Sequence, residues 1–179
     1  MQAIARLVAS GELGQIMHVE ANFSHDKLAN LASDNWRVST VESPAAAMTA
    51  TGIHITDAFA NMFGSVEQIY AMTATRNPAN ANGDILNFNV RFKSGATGAF
   101  NSILETPLYM RYAVFGAKAW VEARDYSHPS EMGTTDLFIS RSEGEIETQT
   151  FQDVDTVKLN FEAWADAISG IADYPFTRA

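Results

Sequence analysis

The hydrophobic and polar residues of this chain follow two periods, that of an α-helix and that of a β-strand. The clearest helical pattern lies near the centre of the chain. Within residues 46–64, apolar side chains recur at the spacing of one helix face: Ile55, Ala58, Phe59 and Met62. Thr49 or Thr51 is a suitable N-cap, and Gly64 is a suitable C-terminal stop. The pattern therefore predicts an amphipathic helix of about four turns.

A polar stripe lies beside the apolar one on this predicted helix. His54, Asp57 and Asn61 follow each other at helical spacing along it. A helix that buries one face and carries a histidine along its edge can serve a binding or catalytic site. A single helical histidine is, however, more often a surface residue or a hydrogen-bonded core residue, so this pattern alone leaves both interpretations open.

Alternation with a period of two dominates the rest of the chain. It predicts strands at residues 15–24, 66–75, 84–92, 97–104, 109–115, 119–124, 137–141 and 145–151. Helical patterns at residues 1–10 and 159–170 flank these strands. Successive hairpins between flanking helices predict an α+β fold, with one largely antiparallel open sheet and helices packed on one face.

The predicted strands also indicate which face of the sheet is buried. In the first strand, the face predicted to be buried carries Met17, Val19, Ala21 and Phe23. The opposite face carries Asn87, Asn89, Arg91 and Asn101 among apolar residues. A mixed face of this kind is typical of a surface that meets a partner subunit or a ligand.

The segment 25–44 has no clear period and predicts a long loop. Loops longer than about 12–15 residues are uncommon unless they have a function. Trp36 and Arg37 therefore have two interpretations. Trp36 can fill the core while Arg37 pairs with an acid, or the two can form a pocket wall, with Arg37 holding an anion or a hydroxyl group.

Composition narrows the classes of function. Twelve Lys and Arg face 21 Asp and Glu, a formal charge of −9, which argues against nucleic-acid and anionic-membrane binding. The chain has no cysteine, its four histidines lack metal-ligand spacing, and no GxGxxG, P-loop or GxSxG motif occurs. No apolar run is long enough for a membrane span and no signal peptide is evident, so we expect a single cytoplasmic domain over residues 1–179 without metal.

Four motifs resemble the C-terminal domain of the Gfo/Idh/MocA oxidoreductases. They are Gly11-Glu12-Leu13-Gly14, Asn35-Trp36-Arg37, Thr51-Gly52-Ile53-His54-Ile55-Thr56-Asp57 and Phe115-Gly116-Ala117-Lys118. The resemblance extends to the tail Tyr174-Pro175-Phe176, almost the whole chain. It implies the glyceraldehyde-3-phosphate-dehydrogenase-like C-terminal fold, which holds substrate and makes oligomer contacts through its open sheet.

The family has a second, N-terminal Rossmann domain that binds NAD or NADP and supplies a catalytic lysine in a Glu-Lys-Pro motif. We expect that domain to be absent from this chain, because the first helix begins at the first residue and the dinucleotide motif is missing. The resemblance therefore implies NAD or NADP in the full-length protein and no cofactor in this chain.

The resemblance also implies roles for residues. His54 and Asp57 occupy the family's GxHxxD motif, in which the histidine faces the nicotinamide and the reacting hydroxyl of the substrate. We assign His54 as the acid/base group, Asp57 as a residue that orients it, and Trp36, Arg37 and Asn61 as substrate-binding candidates. His54 should then line a concavity open to solvent, with Trp36 or Arg37 near its rim. Many members carry an aspartate four residues before the histidine, where this chain has Ala50.

The sequence and the resemblance together suggest two alternative functions for this chain. The first is the substrate-binding domain of an NAD(P)-dependent dehydrogenase of sugar-like or cyclic polyol or diol substrates, inactive as an isolated fragment. The alternative, which Ala50 favours, is a non-catalytic ligand-binding or assembly domain of the same fold.

The missing glycine-rich strand–turn–helix generates a first prediction. Because that unit supplies the pyrophosphate site, this chain alone should bind neither NAD nor NADP tightly and should not turn over substrate. Calorimetric titration with each cofactor measures this, and micromolar affinity of the isolated chain would contradict it.

The mixed sheet face generates a second prediction. The chain should self-associate through the face that carries Asn87, Asn89 and Arg91. Sedimentation at micromolar concentration should show a dimer or a larger species. A monomer, or crystals in which chains bury less than about 1,000 Å² against each other, would argue against it.

Overall fold

The computed structural model describes residues 1–45 and 47–175, which form an open sheet whose core includes residues from the first two described helices. The described helices are α1 (Gln2–Ser10), α2 (Ile53–Phe63) and α3 (Thr156–Ile168). The described strands are β1 (Ile16–Ser24), β2 (Val66–Ala74), β3 (Ile85–Phe92), β4 (Thr97–Ile103), β5 (Tyr109–Gly116), β6 (Trp120–Asp125), β7 (Thr134–Ser142) and β8 (Glu145–Gln152). A three-ten turn occupies Trp36–Val38, and a π-helical segment at Met48–Gly52 leads into α2.

The strands form one eight-stranded sheet in the order β2-β3-β4-β1-β5-β6-β7-β8. Every neighbouring pair is antiparallel except β1 and β4, which run parallel because β1 inserts between β4 and β5. Its central position buries β1 residue Val19 completely. The predicted class, α+β with one largely antiparallel open sheet, is confirmed.

Helix α2 packs on the sheet through its predicted apolar stripe. The Phe59 ring lies at the centre of an aromatic cluster, with ring-centroid distances of 5.9–6.2 Å to Phe63, Phe88, Phe92 and Tyr112. Gly98 in β4 makes room for this ring, because a Cβ there would lie 3.3 Å from it and 2.9 Å from two valine methyl groups. The close approach fixes where α2 lies on the sheet.

The predicted buried face of β1 is wrong at its first position. Val19, Ala21 and Phe23 are buried as expected, but Met17 is 54% exposed and Ile16 packs against the core instead. The pairing of β1 with β5 shifts register between Ile16 and His18. One extra residue in a strand moves the preceding side chain to the other face, and the sequence alternation does not reveal it.

The predicted N-cap of the central helix is also wrong. Thr49 and Thr51 both lie inside the helical segment, and no capping side chain is found at its described start. The buried Thr51 hydroxyl instead donates to the carbonyl of Ala47 at 2.8 Å and lies 2.7 Å from Ser102 Oγ. Gly64 ends the helix as predicted, with φ 76°. Ala46, the predicted first residue, lies outside the described residues.

Helix α3 forms as predicted, but its apolar stripe is not buried. Phe161 is 62% exposed, and Trp164 and Ile168 are also exposed. No helix among the described residues is long and apolar enough to cross a membrane. Of the predicted tail, Phe176 lies outside the described residues.

The contrast between α2 and α3 generates a prediction about stability. Phe59→Ala should lower the free energy of unfolding by about 3–5 kcal/mol, because it leaves a cavity in the aromatic cluster. Phe161→Ala, the same change on α3, should alter it by no more than about 0.5 kcal/mol. Urea unfolding followed by circular dichroism measures both. Equal losses would show that α3 contributes to the core.

Candidate functional site

A cavity of about 340 Å³ opens beside the start of the central helical segment, at the end of β1. The loop after β1, the helical segment and the turn between β6 and β7 all contribute to its wall. The lining residues are His25, Lys27, Leu28, Trp36, Arg37, Ser43, Thr49, Ala50, His54 and His128. The cavity lies within the size range of small-molecule sites.

Three of the residues predicted from the sequence meet at this cavity. His54 lines it from the first turn of α2, and Trp36 and Arg37 line it from the loop. The π-helical segment just before His54 contributes Thr49 and Ala50. Such π-helical turns occur often at functional sites. The expected arrangement of His54 in a concavity with Trp36 and Arg37 is therefore present.

Asp57 and Asn61 lie elsewhere. Both are exposed residues of α2, one and two turns beyond His54, and neither lines the cavity. Within residues 1–45 and 47–175, no hydrogen bond or ion pair joins Asp57 to His54. Of the predicted polar stripe, only His54 reaches the cavity, because the helix axis carries the later turns away from it.

The structure also decides between the two interpretations of Trp36 and Arg37. Trp36 is 43% exposed and so does not fill the core. The Arg37 guanidinium lies 4.3 Å from the centroid of the Trp36 ring, a cation–π contact. No carboxylate pairs with Arg37 in the part of the chain that the structure describes. Both residues belong to the pocket wall.

A buried asparagine fixes this wall to the sheet. Asn82, 8% exposed, donates through Nδ2 to the carbonyl oxygens of Arg37 at 2.7 Å and Ser43 at 2.8 Å. Asn35 Oδ1 accepts from the backbone N–H of Arg37 at 3.0 Å, capping the three-ten turn. These bonds hold a loop that has no regular structure of its own in one conformation.

Two further histidines line the cavity, and sequence reasoning missed both. His25 directly follows β1 and is only 4% exposed, and its ring centroid lies 5.1 Å from that of His128. The Phe23 ring lies against His25, His54 and His128, at 5.5, 6.5 and 6.0 Å. His25 could have been suspected from its place at a strand end, whereas nothing local distinguishes His128.

The surroundings of His25 and His128 favour their neutral forms. Burial, followed by the positive charge of Lys27, lowers the pKa of His25 below its ordinary value. Burial, then Lys27 and His25, lowers the pKa of His128 in the same way. Each ring accepts a backbone N–H at Nδ1, from Lys27 at 3.3 Å and from Ser130 at 3.2 Å. Each neutral ring therefore carries its proton on Nε2, where it can act as a hydrogen-bond donor.

The histidines do not form a metal centre by themselves. Among the described residues, no three His, Asp or Glu side chains are arranged to hold a metal ion. The arrangement suits hydrogen bonding and proton transfer, because it combines three imidazoles, two hydroxyl groups and two cationic side chains around one cavity.

The fold and the sequence were then compared with known proteins. The sequence model of the GFO/IDH/MocA C-terminal domain matches residues 1–122. No curated protein sequence matches the chain. Solved structures of similar fold are numerous.

Three of these structures illustrate the likeness. A Desulfitobacterium hafniense protein assigned as an NADPH-dependent oxidoreductase has a TM-score of 0.80 at 19% identity, over 98% of this chain and 53% of its own. The aldose-aldose oxidoreductase of Caulobacter crescentus, complexed with glycerol, has a TM-score of 0.75 at 20% identity, over 96% and 50%. An inositol dehydrogenase homolog of Azotobacter vinelandii, complexed with NADH and myo-inositol, has a TM-score of 0.66 at 20% identity, over 84% and 38%.

The chain thus spans about half the length, or less, of the solved structures that it resembles. At these identities the structures establish a shared fold. The family follows from the sequence match, which covers 122 of the 179 residues. The chain belongs to the GFO/IDH/MocA oxidoreductase family, and the part of it that matches is the C-terminal domain.

Proposed function

We propose that this chain is the substrate-binding domain of an NAD(P)-dependent oxidoreductase that acts on a sugar-like or cyclic polyol or diol substrate, with His54 as the proton acceptor and donor. The observation that carries the proposal is the position of His54. It lies at the start of α2 in the same cavity as Trp36 and Arg37, in a chain of an oxidoreductase family.

The proposed role of His54 follows from the chemistry of alcohol oxidation. Oxidising a secondary alcohol removes a hydride and a proton, and the proton needs a base near the reacting hydroxyl. Imidazole is well suited to this role, because its ordinary pKa lies near neutral pH. His54 projects from a helix that is anchored by buried Ile55 and Phe59, so its backbone is held in place. Asp57 lies on the same helix without a hydrogen bond or ion pair to His54 among the described residues, so its proposed orienting effect on His54 is indirect.

The nicotinamide cofactor supplies the hydride acceptor, and the described residues do not fit its binding. β1 and β8 are each followed in the chain by a helix, and no glycine-rich turn joins either strand to that helix. A strand–turn–helix of that kind is the usual dinucleotide phosphate site. We therefore propose that the cofactor binds to a part of the protein outside residues 1–179, so that the isolated chain is inactive.

The proposed substrate class rests on the lining of the cavity and on the related structures. Trp36 offers an apolar surface, while Ser43 and Thr49 offer hydroxyl groups, a mixture suited to a polyhydroxylated ring. The related structures include one complexed with glycerol and one complexed with myo-inositol. Asn61, which lies outside the cavity, is proposed to contact only a substrate that extends along α2.

Ala50 favours the second candidate, a non-catalytic ligand-binding or assembly domain. It lines the cavity where many family members are expected to carry an aspartate, and no carboxylate lines the cavity. A ligand could then bind beside His54 without being oxidised. The enzymatic proposal needs only His54 as the acid/base group, and turnover of a polyol by the unmodified full-length protein separates the two candidates.

We also propose that the chain forms a homo-oligomer through the open sheet face. On that face Tyr70 of the edge strand β2 pairs with Asn89, and Met72 pairs with Asn87. Both Tyr70 and Met72 are largely exposed, so these side chains of the edge strand lie beside the polar Asn87 and Asn89 of the next strand. A cytoplasmic location also remains a prediction.

Replacing His54 tests the proposed function. In the full-length protein, assayed with an oxidisable polyol, His54→Ala should lower kcat by about 10²–10⁴-fold, the usual effect of losing a general acid/base. His54→Asn should be about as harmful, because an amide keeps the size but cannot accept the proton. Asp57→Asn is the matched control on the same helix and should cost much less. Full activity of both His54 variants would show that His54 is not the acid/base group, whereas an unmodified protein that binds the polyol without oxidising it would favour the non-catalytic candidate.

A further inference from the structure

The cavity differs in charge from the rest of the molecule. The chain carries a formal charge of −9, yet no Asp or Glu is among the residues that line the cavity. The ionisable groups that do line it are Arg37, Lys27 and the imidazoles of His25, His54 and His128. A cleft lined by one sign of charge focuses the field and attracts ligands of the opposite sign.

Arg37 is the least compensated of these groups. Among the described arginines, Arg111, Arg124 and Arg141 each pair with at least one glutamate, at 2.6–3.1 Å, whereas Arg37, like Arg6, Arg76 and Arg91, does not, and of these four only Arg37 lines the cavity. Arg37 has no carboxylate partner anywhere in the described ranges 1–45 and 47–175. Its guanidinium instead lies over the Trp36 ring, which leaves its five N–H donors available for a ligand.

Arg37 is also held in position before any ligand binds. Asn35 binds its backbone N–H and Asn82 binds its carbonyl oxygen, at 3.0 and 2.7 Å. The cation–π contact with Trp36 orients the guanidinium plane as well. An arginine ordered in this way loses less entropy on binding, and its planar donors match the oxygens of carboxylate and phosphate groups.

Lys27 adds positive charge that is only partly offset. Its Nζ lies 2.6 Å from Glu131 Oε1, and the Glu131 side chain is mostly exposed and outside the cavity wall. Burial is the main cause of the lowered pKa of His25 and of His128, and the charge of Lys27 adds to it at both rings.

We propose that the cavity binds a sugar-like or cyclic polyol that carries an anionic group, a carboxylate or a phosphate, and that Arg37 holds this group. The inference rests on the proposed function, because it names the substrate class of the same site. The Nε2–H groups of His25 and His128 donate to the oxygens of the ligand. His54 then remains available to accept the proton of the reacting hydroxyl.

The anionic ligand should also couple binding to pH. The charges of Lys27 and Asp26 act on the pKa of His25. The charges of Lys27, His25 and Glu131 act on the pKa of His128. A bound anion adds negative charge beside both rings and raises their lowered pKa values. Between the free and the bound pKa values, binding therefore takes up protons. The affinity for a sugar that carries a carboxylate should therefore rise as pH falls toward the lowered pKa values of the two free rings, below the ordinary histidine value of 6.5, and the affinity for a neutral polyol should not.

The test uses the whole 179-residue chain, since the cavity lies within it. Chemical-shift titration at pH 7 with D-glucose, D-glucuronate and D-glucose 6-phosphate measures weak binding directly. At least one charged sugar should bind about tenfold more tightly than glucose, the effect expected of a charge-assisted hydrogen-bonded pair. The stronger of the two charged sugars identifies the anionic group as carboxylate or phosphate.

Variants assign the preference to Arg37. Arg37→Gln should reduce the preference for the charged sugar to less than about threefold, and Arg37→Lys should retain part of it as a point charge without the planar fork. Arg6→Gln removes one positive charge from an exposed position of α1 outside the cavity and should leave the preference unchanged. Circular dichroism shows that each variant is folded.

Three outcomes would overturn the proposal: equal affinity for all three sugars, no binding of either charged sugar, or an unchanged preference in Arg37→Gln. None of these outcomes bears on the kcat of the His54 variants. Conversely, fully active His54 variants together with a preference lost in Arg37→Gln would refute the acid/base role of His54 and leave the anion site standing.

Discussion

The position of α2 on the sheet depends on one close approach, that of the Phe59 ring to Gly98. A Cβ at position 98 would lie only 3.3 Å from the ring and 2.9 Å from Val19 and Val90, and the ring also contacts aromatic side chains from β3 and β5. Because protein interiors are close-packed, this contact fixes both the height and the register of the helix. His54, one turn before Phe59, is consequently presented at the end of β1 and not elsewhere along the sheet.

A second constraint acts on the opposite wall of the cavity. The loop after β1 carries Trp36 and Arg37 but no regular structure, so its conformation depends on side-chain hydrogen bonds. Asn82 supplies two of them from a segment 45 residues further along the chain than Arg37. This loop and the helix α2 form two walls of the same cavity. Because side-chain hydrogen bonds hold the loop in one conformation, it can contribute to a preorganised site although it has no regular structure.

Much of the fold follows from the sequence, because the apolar stripe of α2 and the alternating strands are strong local signals. Of the residues that line the cavity, His54, Trp36 and Arg37 are candidates from the sequence, but helical spacing and the long loop leave two interpretations open for each, and the family resemblance is what favours a functional His54. His25 could be suspected only from its place at the end of a strand and His128 not at all, because the sheet brings these distant segments together and no local pattern reports it. The same limit explains the error at Met17, where a single inserted residue reverses the alternation.

The geometry of the cavity also limits what this chain can do by itself. His54 is exposed, so in this chain its imidazole is open to solvent. Hydride transfer is favoured where water is excluded. The reaction proposed for this site would be favoured by a second surface that covers the cavity beside His54. The packing of α2 on the sheet and the hydrogen bonds of the loop after β1 keep His54 and the cavity wall in fixed positions. A covering surface could therefore meet His54 at one defined place.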